Sequence, residues 1–328
     1  LFDAGGFLIA KKTIGKFDIS GGLRFDHRTE HGKQLILDEN DAPTQIDSTA
    51  FNHKFNAFTQ SFLGLTGSIG FAYQLSKNWY TKLNLSRGFR APNIGELAAN
   101  GEHEGTNRYE IGDASLKPEN SWEIDYSLGL NSEHITFELD LFDNRIQHFI
   151  YQQKLNSMNG GDSLTDGLQT FKFVQGNANL IGAELMIDIH PHPFEWLHLQ
   201  NAFSFVRATQ LAQPDSLKYL PLIPAARLRT ELKIEKSSLA KVVRNAYFKI
   251  DLENTLAQNR YFNAFGTETS TKGYTLLNAG FGGSLTHKKQ TYASLYVSVN
   301  NITDKAYQSH LSRLKYTDTN NATARSGV

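Results

Sequence analysis

The 328-residue chain contains no cysteine. That excludes disulfide frameworks, thiol catalysis and cysteine-based zinc sites. It also lacks net charge, with 33 Lys+Arg against 33 Asp+Glu, so no basic surface points to nucleic acid or to an anionic membrane face. Apolar runs are short and mean hydropathy is negative. No stretch approaches the roughly 18 residues that a membrane helix needs. Proline is scarce, at 8 residues, and sits mainly in links. A signal peptide is not visible and the first residue is Leu1, which leads us to expect that the chain begins inside something larger.

What is present is alternation. Trp122, Ile124, Tyr126, Leu128 and Leu130 interleave with Glu123, Asp125, Ser127, Gly129 and Asn131. Ala293, Leu295, Val297 and Val299 interleave with Ser294, Tyr296, Ser298 and Asn300. Side chains on a strand point to alternate faces, so each run has one apolar and one polar side. The pattern predicts about twelve strands, near 4–12, 17–28, 59–75, 79–90, 119–131, 134–153, 170–189, 194–208, 225–236, 244–259, 273–286 and 290–306. Short links (13–16, 76–78, 131–133, 190–193, 237–243 and 286–289) alternate with long ones (29–58, 91–118, 154–169, 209–224, 260–272 and the segment after Tyr307).

Paired strands with tight turns on one side and large loops on the other read as an all-β fold, a transmembrane antiparallel β-barrel. Its short turns would be periplasmic and its long loops extracellular. Leu63, Leu65, Ile69, Phe71 and Tyr73 would face lipid, and Gly64, Thr66, Ser68, Gly70 and Gln74 the lumen. Ile135, Phe137, Leu139 and Leu141 oppose Thr136, Glu138 and Asp140 in the same way, as Phe248, Ile250 and Leu252 oppose Lys249, Asp251 and Glu253. Trp79 and Trp196 fall where a periplasmic aromatic girdle belongs. A soluble propeller would show a motif at fixed period, and the sequence has none. Soluble sandwiches have shorter strands and seldom such regular loop alternation.

The run Arg87-Gly88-Phe89-Arg90-Ala91-Pro92-Asn93-Ile94-Gly95-Glu96-Leu97, followed by Leu116-Lys117-Pro118-Glu119-Asn120-Ser121-Trp122-Glu123, resembles the barrel of TonB-dependent outer-membrane receptors. Tyr292 to Tyr307, ending Asn301-Ile302-Thr303-Asp304-Lys305-Ala306-Tyr307, resembles the family's penultimate strand. The resemblance implies a 22-stranded barrel closed by an N-terminal plug, in the outer membrane of a Gram-negative bacterium and energised through TonB. Residues 1–328 would then be an incomplete barrel of about 12 strands. The plug, the early strands and a final strand would lie outside the chain, leaving lipid, the plug and the TonB complex as partners and no nucleic acid.

Ala98-Ala99-Asn100-Gly101-Glu102-His103-Glu104-Gly105-Thr106, Phe149-Ile150-Tyr151, Gly182-Ala183-Glu184 and Tyr307-Gln308-Ser309-His310 resemble the zinc-uptake branch of these receptors. That resemblance makes His103 a zinc ligand, with His310 and Glu104 as further metal candidates. Imidazole and carboxylate suit a borderline metal. Zinc is expected as cargo, not as a resident cofactor. Ferric siderophore or haem is the rival, since the loop aromatics Phe51, Phe55, Tyr261, Phe262 and Phe265 could grip a flat chelate and outer histidines could ligate haem.

The eleven histidines divide by side. His27, His31, His53, His103, His148 and His310 fall in the outer half. His134, His190, His192, His198 and His287 fall toward the periplasm, where transport gives them no role. An enzyme is not expected. Gly280-Phe281-Gly282-Gly283-Ser284 lies within a strand with no helix behind it, so it is no phosphate loop, and no Ser/His/Asp set can be placed. A barrel-borne enzyme or an adhesin is the distant alternative.

Overall fold

Alternating segments pair with their sequence neighbours because an extended chain must satisfy every backbone N–H and C=O laterally. In the computed structural model, residues 1–315 are described apart from 41, 47–51, 104–107, 265–267, 289 and 313–314. Among them, twelve long strands form the wall: β1 (Phe2–Ile14), β2 (Phe17–Gly32), β3 (Phe58–Gln74), β4 (Trp79–Arg90), β5 (Glu119–Asn131), β6 (Ile135–Lys154), β7 (Leu168–Ile189), β8 (Leu197–Gln210), β9 (Arg227–Ser238), β10 (Val243–Thr255), β11 (Tyr274–His287) and β12 (Gln290–Val299). They pair in chain order, each antiparallel to the next. The sheet is open, with β1 and β12 as its two edges. Among the described residues no helix is long and apolar enough to cross a membrane.

Cross-strand register carries the alternation round the wall. Phe248 pairs with Phe281 and Phe281 with Val297, all exposed. One residue on, Lys249 pairs with Gly280 and Gly280 with Ser298. Directly opposite residues share a face, so the sheet has a continuous apolar outside and a polar inside. Leu63, Leu65, Ile69, Phe71, Ile124, Ile250 and Leu295 are all exposed on the apolar side, as lipid contact demands. Trp79 and Trp196 stand exposed at the short-turn end.

The polar face is an ionic lattice. Arg229 donates from Nε to both Asp251 oxygens at 3.0 and 2.9 Å and from Nη2 to Glu231 at 2.9 Å. Lys249 reaches the same Glu231 oxygen at 2.9 Å, and Arg227 meets Glu253 at 2.5 Å. Arg227, Arg229, Asp251 and Glu253 line a concave region of about 620 Å³ together with Glu138, Asp140 and Glu184 from β6 and β7.

β2 runs on to Gly32, past the expected 28, and three boundaries fall short of expectation by three residues or more. The last strand stops at Val299 and does not run to 306. Asn301 and Asp304 take left-handed φ of 52° and 47°, and Asn301 Oδ1 accepts from the Lys305 amide at 2.9 Å while its Nδ2 donates to the Lys305 carbonyl. An Asn side chain bonding the backbone four residues on supplants the ladder there. β8 starts at Leu197, not 194, because Pro191 and Pro193 have no N–H to offer a ladder. Their turn closes through Phe194 N to Pro191 O and Leu197 N to Phe194 O instead. β10 ends at Thr255, not 259, and Gln258 turns inward to donate to the Ile223 and Pro224 carbonyls.

The inside and outside assignment is testable on one strand. Leu295→Lys, on the apolar face, should cost about 2–4 kcal/mol of assembly near the bilayer midplane. Ser298→Lys, three residues away on the polar face, should assemble close to wild type. Heat-modifiable mobility in lipid vesicles checks both, and equal defects would overturn the assignment.

Candidate functional site

The long-loop end is organised by a salt-bridge clamp. Arg90 closes β4 and pairs in register with Glu119, which opens β5. Its Nε and Nη2 donate to the two Glu119 oxygens at 2.7 Å each, while Nη1 donates to Glu96 at 2.9 and 3.0 Å. Glu96 lies in a short helix, α1 (Ile94–Ala98), whose N-cap Asn93 forms a reciprocal capping box with it. Glu119 also accepts from the Ile150 amide on β6 at 2.7 Å. One guanidinium thus ties loop entry, helix and loop exit together in the bidentate geometry that makes Arg the strong partner of carboxylates. Behind it, Leu97, Ala91, Leu116, Phe62 and Ile150 form a buried cluster.

Beyond α1, the strands Asn100–His103 and Arg108–Ile111 form a hairpin in which His103 pairs with Arg108. Arg108–Ile111 also runs parallel to the top of β7, opposing Thr170, Phe171 and Lys172. Tyr109 is buried and donates to Asn100 Oδ1 at 2.7 Å, and the Arg108 guanidinium lies 4.3 Å over the Phe171 ring. The hairpin is therefore anchored at its base, with Glu102 and His103 exposed toward its tip. Glu104 lies outside the described residues, as do Phe51 and Phe265.

His310 is placed differently. It is 3% exposed, within a second packed group of the long-loop end. Its Nδ1 lies 2.8 Å from Thr271 Oγ1, and its Nε2 faces Glu268 at 3.9 Å. Glu268 is also buried and accepts from the Leu222 and Phe262 amides. Lys315 donates to the Thr269 and Ser270 carbonyls and to Thr271 Oγ1. Burial pushes the His310 imidazole down to about 4, and the Lys315 ammonium adds to the same direction. Burial holds Glu268 above the usual carboxylate range. His310 thus carries a neutral ring at neutral pH, the form that donates a lone pair. Phe262 is buried here too, and so is not displayed to a flat ligand.

Sequence reasoning picked out His103 and His310 but missed Glu268 and Thr271, which flank the His310 ring from another loop. It also saw Arg90, Glu96 and Glu119 only as motif letters. Among the described residues, the group of three metal-capable side chains whose ligand atoms approach within 4.8 Å of one another is neither of these loops. It is Asp188, His190 and His198, at the short-turn end.

Comparison with known proteins agrees with this architecture. The chain matches the family model described as TonB dependent receptor-like, beta-barrel, over residues 2–302. Its structure is similar to the copper transporter OprC, with TM-score 0.72 and 17% identity over 94% of this chain and 43% of that one. The FrpB iron transporter from Neisseria meningitidis (F3-3 variant) gives 0.64 and 16%, over 95% of this chain and 42% of that one. The ferric citrate transporter FecA in its unliganded form gives 0.65 and 16%, over 93% and 40%. At these identities the likeness is one of fold, and the chain spans about two fifths of the length of each.

Two outcomes follow from the geometry. Arg90→Met leaves two largely buried carboxylates without their cation and should destabilise the 91–118 segment by about 2 kcal/mol, on the scale of charged hydrogen bonds. Limited proteolysis should cut that segment faster while the wall stays intact. For His310, an unfolded ring protonates near its ordinary 6.5 and the folded one near 4. Stability from the neutral ring is complete above that window and is lost as pH falls through it, by up to about 3 kcal/mol. Glu268 works in the opposite sense. Urea unfolding between pH 4 and 7 should therefore be steeper in pH for wild type than for His310→Gln, by about 1 kcal/mol per unit.

Proposed function

The chain belongs to the TonB-dependent receptor-like β-barrel family, and from that premise we propose that it serves the active import of a scarce metal nutrient across the outer membrane of a Gram-negative bacterium, with zinc as the cargo. Transport would be driven through TonB and gated by a plug domain, the general scheme of the family. The observation that carries the metal reading is His103. It stands exposed on a hairpin whose base is anchored by Tyr109, Asn100 and the parallel pairing to β7.

An imidazole presented from a fixed base, with carboxylates beside it in sequence, suits a borderline divalent ion. Glu104 and His310 are the other proposed ligands. His310 supports the reading through its neutral ring and its Nε2, which has no hydrogen-bond partner among the described residues. Reaching a shared ion would require the packed group around Thr271 and Glu268 to open. The rival cargo is a ferric chelate, favoured by the structural neighbours named for iron and ferric citrate.

Calorimetric titration of the detergent-solubilised receptor with zinc, ferric citrate and haem separates the two. Zinc affinity should fall at least tenfold in His103→Ala, with ferric citrate and haem giving little heat. Saturable chelate binding, indifferent to His103, would replace zinc by iron as the cargo and leave the barrel assignment untouched.

A further inference from the structure

The short-turn end holds a second concentration of metal-binding chemistry, which the loop reading does not use. The β5–β6 turn contributes His134, the β7–β8 turn His190 and His192, β8 contributes His198 and β9 Glu235. Register explains the convergence. Ile189 and Leu199 are the last paired residues of β7 and β8, so His190 and His198 stand opposite each other one step further on, with ring centroids 5.3 Å apart. Asp188 pairs with Gln200 and is therefore the diagonal neighbour of His198 on the same face. His198 Nδ1 lies 3.6 Å from Asp188 Oδ2. All three side chains belong to the polar, concave face, in step with Thr136 and Glu138 on β6.

We propose that Asp188, His190 and His198 form a binding site for a divalent borderline metal ion of the zinc class, on the inner wall at the periplasmic end. Three observations carry this. The three ligand atoms already lie within 4.8 Å of one another. Metal bonds of about 2.0–2.2 Å would draw them closer together. Next, Asp188 Oδ1 and His190 Nδ1 are buried yet have no hydrogen-bond partner among the described residues. Buried polar atoms are normally satisfied, and a metal bond satisfies both a carboxylate oxygen and an imidazole lone pair. Finally, Glu235 Oε1 lies 3.5 Å from His198 Nε2, the ring nitrogen turned away from Asp188. A carboxylate behind a metal-bound imidazole fixes its tautomer and orientation, the usual support of such ligands. His134 lies beside His190, with ring centroids 6.5 Å apart, and its Nδ1 is likewise unpartnered among the described residues. It is the nearest further imidazole.

The site does not depend on which cargo the loops take. In crystals of the receptor soaked with zinc, anomalous scattering at the zinc edge should place an ion between Asp188, His190 and His198. In solution, zinc titration should lose this binding event in His190→Ala and His198→Gln, with affinity reduced at least tenfold. Glu235→Gln should weaken it by about tenfold, the scale for losing a carboxylate that orients a metal-bound imidazole. His287→Ala, a histidine at the same end on β11, should change nothing, and nor should His103→Ala for this event. Absence of the anomalous peak at the cluster, or a titration unaltered in both His190→Ala and His198→Gln, would overturn the proposal. The peak is read on the wild-type protein, so a variant that failed to assemble would not blunt the test.

Discussion

A chain that lies in hydrocarbon has no water to satisfy its backbone, and that single constraint sets everything else here. Lateral pairing is forced, so the segments become strands joined to their sequence neighbours. Pairing fixes register, and register fixes which side chains share a face. With lipid on one side, the apolar residues go outward, and the charged residues have no choice but to meet one another on the inner wall. The Arg227, Arg229, Glu231, Lys249, Asp251 and Glu253 lattice is the consequence, with each charge set within reach of an opposite one. Salt bridges on a wet concave face are worth little individually. Their role is compatibility: they let a charged strand face a lumen without leaving an orphan charge.

The long-loop end solves a different problem, which is how to hold a large link above a thin wall. The link between β4 and β5 is held at its neck by Arg90, Glu96 and Glu119, all largely satisfied by one another. A buried apolar cluster closes beneath it. Because the neck is fixed, the hairpin bearing His103 can lean across to β7 and still be defined at its base. The motif that signalled the family in the sequence is thus the part that builds the platform. His103, proposed to contact cargo, is carried by it.

Strand number, order and inside/outside sense were legible because a period of two survives in the sequence whatever the tertiary details. The ends of strands were less so. Val299 and Thr255 stop their strands where an Asn or Gln side chain captures nearby backbone, a choice between two satisfied states that hydropathy does not register. His310 was legible as a residue but not as a buried one, since Glu268 and Thr271 reach it from elsewhere in the chain. The short-turn histidines were visible as a count and dismissed as one. Only register shows that His190 and His198 face each other and that Asp188 sits on their diagonal.

That last point bears on how a metal would experience the two ends of this wall. At the outer end the histidines differ in kind: His103 is displayed, while His310 is buried with its lone pair directed into protein. Display favours capture, and burial favours retention once a packed group has opened. At the inner end Asp188 and His198 stand on adjacent strands and His190 follows one residue past the last ladder pair, so their spacing is set largely by the wall itself. A site on a rigid ladder changes little when loops move. Its occupancy would then follow the ion concentration at the inner rim and not the state of the loops. The two proposed sites therefore differ in kind, adaptable at the long-loop end and fixed at the short-turn end, and that difference follows from where the chemistry sits on one sheet.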